Sequence, residues 1–268
     1  MPSHAFRLAA LLATALWTPC AAAEDALPAV TVSGTATAAV EKSYRRMLRG
    51  MDLFERERGA LAPQATLRFK LLPRKPGTDM DHLTLEIDGK NFETMLPIAP
   101  DHTFTLPRDA RAEAEDAVVT TTRRKLSMTW RTEIRTPGLP TGVRRLGDLR
   151  LECRVGIEAG LVSNSDPLGR IADLFSSPGS YCGQADARYL FFAERPLFAV
   201  TLVNGSRRET LPIDKLYAMA SDDPGLKHDL PYCDCEVLVD RSYFLPLGDK
   251  SWPNDTQVEF EYMDDPPP

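Results

Sequence analysis

Residues 83–109 read LTLEIDGKNFETMLPIAPDHTFTLPRD, and the same order of features returns later as FAVTLVNGSRRETLPI at 198–213 and VDRSYFLP at 239–246. In each copy an alternating apolar stretch runs into Asp88-Gly89 or Asn204-Gly205, a residue pair that favours a tight hairpin turn. Leu-Pro-Ile follows at 96–98 and at 211–213. Then comes Asp-x-x-aromatic-x-Leu-Pro, from Asp101 to Pro107 and from Asp240 to Pro246. An internal echo of this length predicts two copies of one small β unit. It also predicts that Phe104 and Tyr243, each three residues after the acidic turn, hold equivalent buried positions.

Outward from the echo, period-two alternation continues. Leu67, Phe69 and Leu71 mark one strand, Met128, Trp130 and Ile134 another, and Leu149, Leu151, Cys153 and Val155 a further one. In the second copy Val200 and Leu202, then Tyr243 and Leu245, then Val258, Phe260 and Tyr262 repeat the pattern. Short strands with one apolar face each predict a mainly β fold of two related antiparallel β-sandwich units. Ahead of them, Val40, Tyr44, Met47, Leu48, Met51 and Phe54 fall on one stripe at helical spacing, so a helix is expected over 38–58. Thr37 is its expected cap and Gly59 its expected stop. That stripe reads as packing against a sheet; the sharper alternative is docking on a partner. A short linker helix is expected after Asp166-Pro167.

The expected organisation is a signal peptide at 1–23, an N-terminal strand and helix at 24–60, a first β-sandwich unit at 61–155, a linker at 156–188 and a second unit at 189–268. The signal reading rests on Arg7, the apolar run Leu8–Trp17 and the small residues Ala21-Ala22-Ala23. The run is about half the ~20 residues of a spanning helix, which excludes a membrane anchor there. Cys20 lacks the residues that normally precede a lipid-anchored cysteine. The expectation is therefore a periplasmic or secreted protein with no membrane span. Loss of Arg7 with the signal moves the formal charge from −6 to −7. An acidic chain without a long Lys/Arg cluster argues against nucleic acid as a partner. Arg45, Arg46 and Arg49, and Arg123, Arg124 and Lys125, read as solvated faces or turns.

Chemistry-bearing motifs are few. Cys153, Cys182, Cys233 and Cys235 make an even set after the signal, which in an exported chain predicts disulfides. Cys153 with Cys182 would close a loop of about 30 residues, worth about 3–4 kcal/mol on the chain-entropy account. Cys233 with Cys235 would close a small, reducible ring, and crossed pairings are also open. The alternative is a metal- or thiol-active centre in the insertion after Ile213, with His228, Cys233 and Cys235 as a soft ligand set around Asp234. There is no GxSxG, no HExxH and no glycine-rich phosphate loop, so no catalytic residue and no cofactor is assigned. His102 follows Asp101 at a turn position that the second copy fills with Asp240-Arg241, and a turn-forming role accounts for both aspartates.

The unit of strand, turn, strand and then Asp101…Phe104-x-Leu106, or Asp240…Tyr243-x-Leu245, resembles the transthyretin-like sandwich modules of the carboxypeptidase-regulatory type. The glycine usual in that turn is replaced here by His102-Thr103 and Arg241-Ser242. The whole chain also resembles exported proteins of Gram-negative bacteria. These resemblances imply a non-catalytic module and carry no activity. The functional expectation is a non-catalytic periplasmic or secreted protein acting in binding or envelope assembly, on a protein or envelope component.

Overall fold

The first hairpin, Leu85–Asp88 (β3) with Glu93–Met95 (β4), closes at Lys90-Asn91, one residue beyond the Asp88-Gly89 turn expected from sequence: Asp88 pairs with Glu93, and Gly89 N–H donates to Phe92 C=O at 2.9 Å. The second, Leu197–Asn204 (β10) with Arg207–Thr210 (β11), closes at Asn204-Gly205, and Gly205 takes the positive φ of 59° that such a turn needs. The computed structural model describes residues 39–124, 127–161, 178–185, 187–217 and 236–265. Over these residues the fold is mainly β, with thirteen strands in four antiparallel sheets. None of the described helices is long and apolar enough to cross a membrane.

The echo seen in sequence is part of a larger duplication. The first copy begins with Ala39–Ser43 (β1), which runs straight into the helix Tyr44–Leu61 (α1). It continues through Thr66–Pro73 (β2), the β3–β4 hairpin, Thr103–Phe104 (β5), the short helix Ala110–Ala114 (α2) and Val118–Arg124 (β6). After the strand Met128–Arg135 (β7), the second copy begins with Val143–Arg145 (β8), which again runs straight into a helix, Leu146–Glu158 (α3). Phe191–Phe192 (β9), the β10–β11 hairpin, Ser242–Tyr243 (β12) and Gln257–Tyr262 (β13) complete it. The sheet β1-β6-β3-β4 has the same order as β8-β13-β10-β11.

The registers match residue by residue. Ser43 pairs with Val118 and Arg145 with Gln257, the last residue before the helix in each case. The first helical N–H then bonds across: Tyr44 to Ala117 C=O at 3.1 Å, Leu146 to Thr256 C=O at 2.9 Å. Phe69 pairs with Phe104 as Phe191 pairs with Tyr243. The two ring pairs stack at 5.5 and 5.4 Å, and both Phe104 and Tyr243 are fully buried.

Two expectations are corrected. Residues 149–155 form no strand; they lie within α3. Leu146, Leu149 and Cys153 have helical spacing, but α3 is buried on nearly every side, so its apolar residues form no single stripe and alternation is mimicked. The first helix starts at Tyr44, capped by the Ser43 hydroxyl accepting from Arg46 N–H, because β1 commits residues 39–43 to pairing with β6. It runs past Gly59 to Leu61, and Pro63 lies just beyond. The expected linker helix after Asp166 lies outside the described residues, as does Thr37. Sheet membership changes between Arg135 and Val143, so α3 belongs with the second copy.

The copies meet along α1, α3 and β7. Leu53, Phe54, Ala65, Ile134, Leu151 and Val155 form a core of their own there. Gly50 lets the helices approach: a Cβ at this position would stand 2.8 Å from that of Ala159. The outer edge of β7 is closed by side chains of the second copy. Ile134 N–H donates to the Glu152 carboxylate at 3.1 Å, and Arg144 donates to Ile134 C=O and to Glu152, both at 2.7 Å. Thr136 N–H and hydroxyl donate to Asp148 at 2.7 and 2.9 Å. Replacing Glu152 by Gln leaves the Arg144 charge buried without its counterion. We expect Glu152→Gln to lose about 3–5 kcal/mol in urea unfolding. The pair Arg144→Met, Glu152→Leu should lose less than the sum of the single changes; a loss under about 1 kcal/mol for Glu152→Gln contradicts the clamp.

Candidate functional site

β5 pairs with β2 only at Phe69–Phe104 and Lys70–Thr103. Beyond Phe104 the chain turns away through Leu106-Pro107 toward α2, whose N-terminus Asp109 caps by accepting from Arg111 and Ala112 N–H. The departure is anchored by Tyr44, whose hydroxyl donates to Pro107 C=O at 2.6 Å and accepts from Asp109 N–H at 2.7 Å. Among the described residues, Thr66–Arg68 of β2 therefore has no strand partner on this side.

The wedge so opened is a groove of about 330 Å³ over the side of α1. Met51 and Phe54 supply its helix wall, Leu67 and Phe69 its strand wall, and Leu106 its far wall. Its mouth carries charge: Arg108 pairs with Asp52 at 2.6 Å, and Arg58 with Glu55 at 3.1 Å. An apolar floor with a few charged groups at the rim, at this volume, has the make-up of a small-ligand or short-peptide site. A second cleft, beside Arg135, Arg144 and Tyr243, measures about 10 Å³ and has room for about one water.

Several charged groups elsewhere are bound into the architecture. On the outer face of the β2–β7 sheet, Glu133 lies 3.6 Å from Lys70 and 2.5 Å from Arg135, which reaches Glu194 at 2.6 Å. Burial alone would raise the Glu133 carboxyl, but Lys70, Arg135 and Arg144 hold it below the ordinary glutamate range. Burial raises the Glu152 carboxyl, opposed by Arg144, whose guanidinium is held protonated by the same contact. Asp101 accepts from Thr103 N–H and hydroxyl at 3.1 and 2.7 Å, and stays below its usual range although burial acts to raise it. Arg45 donates to the last carbonyls of α2, and Arg49 ties α1 to Glu158 at 3.1 Å. Arg123 holds the Asp79–His82 turn through two carbonyls.

Of the residues singled out in sequence, Cys153 and Cys182 are joined in a disulfide with Cα atoms 6.1 Å apart. Cys153 reaches it from α3, where a strand end was expected. His228, Cys233 and Cys235 lie outside the described residues. Among the described residues no group of three His, Cys, Asp or Glu side chains could hold a metal ion. His102 occupies the left-handed turn position, φ 60°, and offers its C=O to Leu71 N–H at 3.0 Å. None of the groove residues was assigned to a site: Met51 and Phe54 belong to the helix stripe read first as packing on a sheet, with docking on a partner as the alternative. Comparison with family models, with curated proteins and with solved structures finds no match to this chain.

Two outcomes follow. Glu133 is depressed in the folded state, so its contribution is present above the unfolded pKa of about 4.3 and lost as pH falls through the folded value. The thermal midpoint of the native chain should fall more steeply below about pH 4.3 than that of Glu133→Gln. Removing the disulfide with Cys153→Ala and Cys182→Ala should cost about 3–4 kcal/mol in urea unfolding, since the bond closes 29 residues of chain.

Proposed function

We propose that this is a non-catalytic binding protein of an oxidising envelope compartment, periplasmic or secreted, acting in ligand binding or envelope assembly, and that the first-copy groove is its binding site. The observation that carries the reading is the groove itself. It is an apolar recess of about 330 Å³ beside a strand edge unpaired among the described residues, left open by a chain that departs from β2 after two paired residues. A fold that buries Phe104, Tyr243 and Trp130 completely leaves Met51 and Leu67 only partly covered. The ionisable groups of the interior support it too, since Arg144, Asp148 and Glu152 are spent on the β7 edge. The export reading is supported by the leader-like residues 7–23 and by the Cys153–Cys182 bond, which persists only where thiols oxidise.

The test is titration of the full chain with 8-anilinonaphthalene-1-sulfonate, an apolar probe with one anionic group. One saturable site with enhanced emission is expected. Leu67→Trp fills the strand wall and should weaken binding at least about tenfold while leaving the thermal midpoint within a few degrees, about 1.4 kcal/mol in binding. Unchanged binding in that variant, or no saturable site in the native chain, removes the reading.

A further inference from the structure

The duplication supplies an internal comparison for the groove. Equivalent helix residues, fixed by Tyr44 and Leu146, lie 102 positions apart. Equivalent residues of the next strand, fixed by Phe69 and Phe191, lie 122 apart, so the second copy carries 20 extra residues between helix and strand. The residues after β5 and β12, fixed by Phe104 and Tyr243, lie 139 apart. On these registers Met51 corresponds to Cys153, Thr66 to Arg188, Arg108 to Leu247 and Asp109 to Gly248.

Residues 180–184 of this connection lie at the same place. Cys182 is bonded to Cys153, on the helix wall. The Tyr181 hydroxyl accepts from Arg188 N–H at 3.2 Å, on the strand wall. Gln184 lies over Gly248, where a Cβ would stand 2.3 Å from the Gln184 carbonyl oxygen, one residue past Leu247, the counterpart of the groove residue Arg108. The segment is a tight turn, with Gly183 N–H donating to Ser180 C=O at 3.3 Å and Gln184 N–H to Tyr181 C=O at 3.1 Å. Cys182 is buried in one apolar cluster with Leu245 and Leu247, and Tyr181 packs against it. The second-copy groove is thus filled by residues 180–184 of its own chain.

The first copy has no such segment. Between Leu61 and Thr66 it has four residues, the last of which, Ala65, lines the groove. We propose that the first-copy groove receives in trans what the second holds in cis: a short turn that buries one small apolar side chain and one aromatic side chain, presented by a partner polypeptide. This rests on the binding reading above and names its ligand class. In both copies a helix, a strand and the stretch after β5 or β12 frame the same place, with Phe54 and Leu67 replaced in the second by Gly156 and Tyr189, and among the described residues the first-copy groove stands open. The partner's turn enters as the second-copy turn does, with its buried side chain against Met51 and its aromatic residue toward Thr66. A peptide of this size seated in one small groove is a weak ligand alone, so a covalent trap is the suitable probe.

The experiment places a thiol where the second copy has one. Full-length Met51→Cys is mixed with a synthetic peptide copying residues 180–184, Ser-Tyr-Cys-Gly-Gln, in a glutathione redox buffer. Peptide mapping then locates the mixed disulfide. The groove thiol should capture this peptide at least about tenfold more than a scrambled peptide of the same composition. Thr105→Cys, on the opposite wall, should show the same preference, and Glu93→Cys, on the exposed β4 strand, should show none. Thr105→Cys keeps the test alive if Met51→Cys folds poorly. Equal capture of the two peptides at both groove positions overturns the proposal. If the naphthalene sulfonate still binds and Leu67→Trp still weakens it, the peptide inference alone has failed. If the probe also fails to bind, both readings fall.

Discussion

Ile134 sits on the outer edge of β7 with its N–H and C=O bonded to one buried ion pair, Glu152 and Arg144. A strand edge buried against a helix must find partners for its backbone groups, or each costs about 1–3 kcal/mol. Here the partners are side chains, with Asp148 extending the arrangement to Thr136. The pair does two jobs at once. It replaces the strand that β7 lacks on that side, and it joins the first copy, to which β7 is paired through β2, to the β8–α3 corner of the second. Two charges at low exposure are costly when separated, so the junction has one strongly preferred geometry. The hydrophobic contact of Leu53 and Phe54 with Leu151 and Val155 forms beside it.

Around that junction the two copies keep one plan and differ in how each finishes its helix-to-strand corner. The shared plan is set by backbone pairing, and backbone pairing depends little on which side chains are present. Thus Tyr44 and Leu146 begin helices from the same register, and aromatic stacks form at Phe69–Phe104 and Phe191–Tyr243. The corner is where the copies diverge. A connection of four residues leaves the first groove open, whereas the longer second connection folds back and is fixed by the Cys153–Cys182 bond. A long loop is an entropic burden unless it is tethered, and the disulfide supplies the tether.

The charged groups divide in the same way between framework and surface. Those facing β7 are bonded to the backbone or to one another, and their shifts follow from burial and from paired neighbours. The cations at the groove mouth, Arg58 and Arg108, are half exposed and paired only at the surface, where such pairs contribute at most about 1 kcal/mol. An incoming ligand can therefore displace them at little cost.

How much was legible in the sequence follows from which forces are local. The two hairpins, the first of them turning one residue beyond Asp88-Gly89, the burial of Phe104 and Tyr243, the mainly β class and the α1 stripe were legible, because turn chemistry and one-sided burial act over a few residues. Residues 149–155 were not: a helix enclosed on almost every side carries no period, and alternating Leu149, Leu151, Cys153 and Val155 fit a strand equally well. The extent of the duplication was hidden as well, since β1–α1 and β8–α3 share a backbone register but almost no side chains. The groove was hidden for a related reason. Met51 and Phe54 have the spacing of packing residues, and only the tertiary path of β5, which leaves β2 after two pairs, decides that part of their surface stays uncovered. Sequence by itself determined the local units and which faces were apolar; which of those faces found a partner was decided by contacts between residues far apart in the chain.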